Sequence, residues 1–206
     1  MFRNHSESYE QIRESVERLC ADFPGKYWRQ QDEKARYPTE FVDALIDTGY
    51  LSVLIPEKYG GSGLDLKAAC IILETIHKSG GNGAACHAQM YTMGTLLRHG
   101  SDSQKEQWLP GIANGSLRLQ AFGVTEPSSG SDTTRIATTA VRDGDNYVIN
   151  GQKIWTSRAE HSDLMVLLVR TEERDSVSKP TKGLSVFLVN LKEAAKDTVT
   201  ITQIET

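Results

Sequence analysis

The sequence is poor in the features that would assign it quickly. It has three cysteines in 206 residues. Cys20, Cys70 and Cys86 stand far apart, in no metal-ligand or redox spacing, so they read as reduced core thiols of an intracellular protein. The five histidines, His5, His77, His87, His99 and His161, include no H-E-x-x-H pair. Structural roles for them are favoured over a metal centre. Long apolar runs are missing too: Leu164 to Val169 is the longest, far short of a membrane span. Met1 to Cys20 is charged throughout, unlike a signal peptide or membrane anchor. Without a secretory route the sequons Asn4-His-Ser6 and Asn114-Gly-Ser116 carry no meaning. Excess positive charge is absent, the net being −4, which disfavours nucleic acid or an anionic membrane surface as partner.

Motif chemistry is equally sparse. Tyr59-Gly-Gly-Ser-Gly63 is a flexible turn, because the G-x-G-x-x-G order and a surrounding βαβ unit are lacking. No G-x-S-x-G elbow and no P-loop occur, so acyl hydrolysis and phosphoryl transfer have no support. Asp65, Glu74, Glu126 and Asp132 are possible acids or bases, but caps and loop hydrogen bonds account for most of them. Glu126, followed by Pro127, reads as a loop former. There is no internal repeat and no low-complexity segment.

What is present is an ordinary globular composition, 38% hydrophobic and 24% charged, on a chain long enough for one large or two small domains. Tyr9, Ile12, Val16, Leu19 and Cys20 predict a helix over 7–22, ended by Pro24-Gly25. Residues 28–36 are polar and receive no assignment. Thr39 is positioned to cap a short helix carrying Phe41, Val42, Leu45 and Ile46, with Gly49 at its C-terminal end. Asp65 caps the next helix, and a further helix runs from about Ala84 to Arg98. Ser103-Gln-Lys-Glu106 reads as a capping box opening a helix to Ile112.

Near Leu119 the pattern changes to short segments rich in Val, Ile and Thr. Residues 136–141, 147–149, 153–155, 164–169, 184–189 and 199–204 read as strands, with turn signals at Asp143-Gly144 and Asn150-Gly151. The two uniformly apolar strands, 164–169 and 184–189, should be covered on both faces. The fold class expected is α+β: an all-α helical domain over 1–119, then an antiparallel β-barrel or sandwich domain over 120–206.

One stretch organises the rest. Phe122-Gly-Val-Thr-Glu-Pro-Ser-Ser-Gly-Ser-Asp132 runs from an apolar start into a loop of small residues whose free amides suit a polar or anionic ligand. Asn150-Gly-Gln-Lys-Ile-Trp-Thr-Ser157 follows, an aromatic plane beside two hydroxyls, suited to a flat heteroaromatic ring. In this order the two resemble the flavin signature of the acyl-CoA dehydrogenases. Pro56-Glu-Lys-Tyr-Gly-Gly-Ser-Gly-Leu-Asp65 and Gly100-Ser-Asp-Ser-Gln-Lys-Glu-Gln-Trp-Leu-Pro110 agree, so the resemblance covers almost the whole chain.

The resemblance implies an FAD site. The backbone at Phe122 and Val124 and the Thr125 hydroxyl would contact the flavin ring. Gly130 and Ser131 would approach the pyrophosphate, with Ser131 also facing the acyl-CoA. Trp155 would pack on the isoalloxazine, and Thr156 and Ser157 would bond near N5. The reaction implied is α,β-dehydrogenation of an acyl-CoA to trans-2-enoyl-CoA. Electron-transferring flavoprotein would be the acceptor, a homo- or hetero-oligomer the working form, and the cytoplasm (or the mitochondrial matrix) the compartment. No residue here matches the family's glutamate base, which lies in a C-terminal helical domain. The expectation is therefore a truncated or split chain, with two alternatives. One is a non-catalytic flavin- and acyl-CoA-binding subunit, and the other a flavin oxidase or monooxygenase of the same fold. Arg158 stands where many relatives carry a small or amide residue.

Overall fold

A computed structural model describes residues 5–194 and 198–204. The chain forms two compact units, Met1–Arg118 and Leu119–Thr206. Among the described residues no helix is long and apolar enough to cross a membrane, and no cluster of side chains could hold a metal ion.

The first unit is helical. Its main helices are α1 (His5–Ala21), α2 (Gly25–Glu33), α3 (Thr39–Asp47), α4 (Leu66–Lys78), α5 (Ala84–His99) and α6 (Asp102–Ala113). Apolar residues three and four apart bury one stripe of each of α1, α3 and α4. Val16, Phe41, Leu45, Ile72, Ile76 and Cys86 share one core, and each large side chain there contributes about 1.5–3 kcal/mol. The Asp65 carboxylate caps α4, accepting from the Ala68 amide at 2.9 Å. Gly49 adopts φ 76° just beyond α3, where a side chain would be strained.

Local expectations fail where neighbours decide. Residues 25–33 form α2, because Tyr27 and Trp28 pack edge-on against Phe23 and Phe41. Tertiary packing outweighs a weak polar pattern. Thr39 is the first residue of α3, whose cap is Pro38 with no side-chain bond. The capping box sits two residues earlier than expected. Ser101 accepts from the Gln104 amide, and the Gln104 side chain accepts from the Ser101 amide, at 3.2 and 2.9 Å. Two overlapping S-x-x-Q/E readings exist here, and the earlier one satisfies more free amides.

The second unit holds β1 (Leu119–Gly123), β2 (Thr139–Asp143), β3 (Asn146–Asn150), β4 (Leu164–Arg170) and β5 (Leu184–Asn190). These make one mixed, open sheet, which corrects the antiparallel barrel or sandwich. β1 pairs parallel with β4, β2 joins β4 in parallel at Thr139 and Arg170, and β3 and β5 are antiparallel to their neighbours. β5 lies along the whole of β4, so β1 and then β2 share its other edge. A parallel pair needs a crossover of a dozen residues or more, and 124–163 provides it. That crossover contains both halves of the flavin-like signature.

Three further strand expectations change. The central β4 is covered, but β5 is half-exposed, with Val186 open on its outer face, because β5 has only β4 beside it. Residues 153–155 form no strand; their backbone bond to the loop, among the described residues, is Ile154 N–H to the Thr125 carbonyl at 2.9 Å. The described residues from 198 to 204 carry no strand either.

Candidate functional site

The residues singled out in sequence lie where β1 ends and where the chain returns after the β2–β3 hairpin. Phe122 is the exposed side of β1's end, opposite Val166 in register. Beyond it Val124 and Thr125 are half-buried, and Gly130 and Ser131 occupy an exposed loop tip. Trp155 is 62% exposed, Thr156 half-buried and Ser157 exposed. The Ile154–Thr125 bond brings the two stretches together. A Cβ built at Gly130 would lie 3.9 Å from Thr125 Cγ2, so the loop tip folds back towards Thr125. Among the described residues nothing ties the Ser131 side chain to the others.

What fixes this arrangement is a buried ion pair. The Glu126 and Lys153 side chains are 3% and 9% exposed, and Lys153 Nζ lies 2.8 Å from Glu126 Oε1. Lys153 Nζ also donates to the Val124 carbonyl at 3.0 Å. The other carboxylate contacts are amides, Ala137 N–H at 2.6 Å and Thr138 N–H at 2.9 Å. Burial pushes the Glu126 carboxyl up, but Lys153, Thr138 and the two amides outweigh it and hold the group at about 2. Every partner is charged or a good donor, the condition under which a buried pair is tolerated.

The rest of the loop is wired to itself. Glu126 and Ser129 exchange backbone bonds at 2.8 and 3.1 Å. Ser129 Oγ donates to the Asp132 carbonyl at 2.6 Å. The Asp132 carboxylate accepts from Thr134 through both amide and hydroxyl, which draws its pKa below the usual range. Arg170 braces the far end, donating to the Thr134 carbonyl at 2.6 Å and the Ile136 carbonyl at 3.3 Å. Both acidic groups of the signature are thus occupied, and neither is free to act as a base.

The second stretch is strained where it is exposed. Trp155 and Arg158 both take left-handed backbone, φ 60° and 61°, at about 1–3 kcal/mol each. The Thr156 hydroxyl between them is buried with no hydrogen-bond partner among the described residues, a further cost of about 1–3 kcal/mol. Gly130 differs from its neighbours in kind. A Cβ at Gly123 would meet Leu167 at 2.9 Å, and one at Gly151 would meet Thr138 at 2.4 Å. Packing requires those glycines, whereas a Cβ at exposed Gly130 would make only an ordinary contact with Thr125. An unpartnered hydroxyl, an open indole and an open glycine fit a flat polar ring with an anionic tail.

Glu126 and Lys153 are the residues that sequence reasoning undervalued. The usable signal was that Lys153 is the one charge between Asn150 and Ser157, and Glu126 the one charge between Phe122 and Ser131.

Comparison with known proteins assigns the family. The model of the acyl-CoA dehydrogenase N-terminal domain matches residues 6–116, and that of the middle domain matches 121–206. The chain is 34% identical over 186 residues to a 3-(aryl)acrylate reductase of Clostridium sporogenes, spanning 87% of this chain and 48% of that protein. It is 37% identical over 159 residues to cyclohex-1-ene-1-carbonyl-CoA dehydrogenase of Syntrophus aciditrophicus, spanning 77% of this chain and 37% of that one. The structure of the glutaryl-coenzyme A dehydrogenase glutaryl-CoA complex superposes with a TM-score of 0.82 at 28% identity, over 93% of this chain and 49% of that chain. The chain therefore spans about half the length of these relatives or less.

Proposed function

The chain belongs to the acyl-CoA dehydrogenase family, and on that premise we propose that it carries the FAD-facing wall of an enzyme that dehydrogenates an acyl-CoA thioester to the trans-2-enoyl-CoA. The observation that carries the reading is the segment 155–157: an open indole on strained backbone beside a buried, unpartnered hydroxyl. Strain and an unmet hydrogen bond at adjacent positions do not serve stability, and such costs gather at functional sites.

In this reading Trp155 packs on the isoalloxazine and Thr156 and Ser157 bond near its N5. Thr125 bonds the ring, with the backbone of Phe122 and Val124 beside it. Gly130 and Ser131 approach the pyrophosphate, and Ser131 also faces the acyl-CoA. The cofactor, when bound, supplies a two-electron acceptor for the β-hydrogen of the substrate. Fixed donors around the ring stabilise its reduced, more electron-rich form. The α-proton needs a base, and Glu126 and Asp132 are both committed elsewhere. By the family resemblance the base is a glutamate of a C-terminal helical domain whose motif these residues do not match, and we propose that further chain or a partner subunit supplies it. A second reading, a flavin- and acyl-CoA-binding subunit completed by its partner, rests on the same two occupied carboxylates. Electron-transferring flavoprotein is the acceptor proposed with either.

The test is an FAD titration followed by quenching of flavin fluorescence. Trp155→Ala weakens binding about tenfold, the scale of one lost stacking contact, whereas Cys70→Ala, on the exposed side of the helical unit, leaves it unchanged. Equal retention by the two variants contradicts the stacking role.

A further inference from the structure

We propose that the Glu126–Lys153 pair is a positioning clamp, which sets the loop 124–131 and the segment 153–157 against each other before any ligand arrives. For its purpose the proposal rests on the flavin reading; for its action it rests on this chain's own contacts.

Four features point to a clamp rather than to general glue. The pair joins two irregular segments, and strand pairing does not otherwise connect them. One ammonium reaches both the Val124 carbonyl and the Glu126 carboxylate, so it grips the loop at two points. One carboxylate reaches Lys153, Ala137 and Thr138, so it also fixes where the chain leaves the loop. Among the described residues the only other bond across the two segments is Ile154 to Thr125, beside the clamp. Thr125 lies between the two gripped residues, and Trp155 and Thr156 follow Lys153 by two and three residues. A shift of either grip displaces the hydroxyl and the indole together. Glu126 and Lys153 touch no reacting atom in this scheme; they act through their neighbours.

The experiment is amide hydrogen exchange on the full chain, with and without Lys153→Met. The clamp predicts that the Ile154 amide loses protection about tenfold while the β4–β5 ladder keeps its own, a local opening rather than a global one. Equal loss at Ile154 and in the ladder makes the pair ordinary structural support and overturns the proposal, as does no loss at Ile154. Should Lys153→Met fail to fold, Glu126→Asp gives the same readout, because it keeps both charges and withdraws the grip by one methylene. An FAD titration of Glu126→Asp separates purpose from action. An affinity about tenfold weaker supports positioning for the flavin. Unchanged affinity with a local opening overturns that purpose. If the unmodified chain quenches no flavin fluorescence, the flavin reading fails, and the exchange result still decides the clamp.

Discussion

At the residue scale, Glu126 carries a prediction of its own. Its folded pKa, about 2, lies below its ordinary 4.5. The ionised form is therefore the one that folding favours. The stabilisation is fully present above about pH 4.5 and is lost as pH falls towards 2. At roughly 1.4 kcal/mol per pH unit, this amounts to about 3 kcal/mol. Urea unfolding at pH 7 and pH 3 reads about 2 kcal/mol of it, the amount by which Glu126→Gln narrows the difference between the two pH values. The same residue marks the limit of sequence reading. Trp155, Thr156 and Gly130 drew attention because the signature gives an aromatic plane, a hydroxyl and a small loop residue an expected use. Glu126 looked like a loop former, because an ion pair between residues far apart in sequence leaves no spacing to detect.

At the element scale, helices were easier than strands. Apolar periodicity and an Asp cap marked α4, and both are observed. Asp65→Ala removes the cap and costs about 1 kcal/mol, read as a melting temperature lower by about 3 °C. α2 was missed because its aromatic packing, not its polar pattern, makes it a helix. Strand segments were found at β4 and β5, but their partners were not. Hairpin signals such as Asp143-Gly144 report only neighbours in sequence, as in β2–β3. The β1–β4 pairing spans the whole crossover and leaves no local trace. An antiparallel barrel was the natural guess from hairpins alone, and the parallel centre of the sheet overturns it.

At the scale of the whole chain, the helical unit and the sheet unit match the N-terminal and middle domain models of one family. What the sheet unit offers is one face: a loop of small residues, an open indole and an unmet hydroxyl, set by a buried ion pair. In the proposed reading that face is part of a site, and the relatives are about twice as long as this chain. The central claim is that this face is where FAD binds. The most direct measurement is an amide chemical-shift map of the isotope-labelled chain during FAD titration. The account predicts that the shifts centre on Thr125, Gly130, Ser131 and residues 155–157, while a groove of the helical unit lined by Trp28, Asp32, Arg36 and Gly81 stays unmoved. Shifts centred on that groove, or no shift at 155–157 while FAD binds, would contradict it.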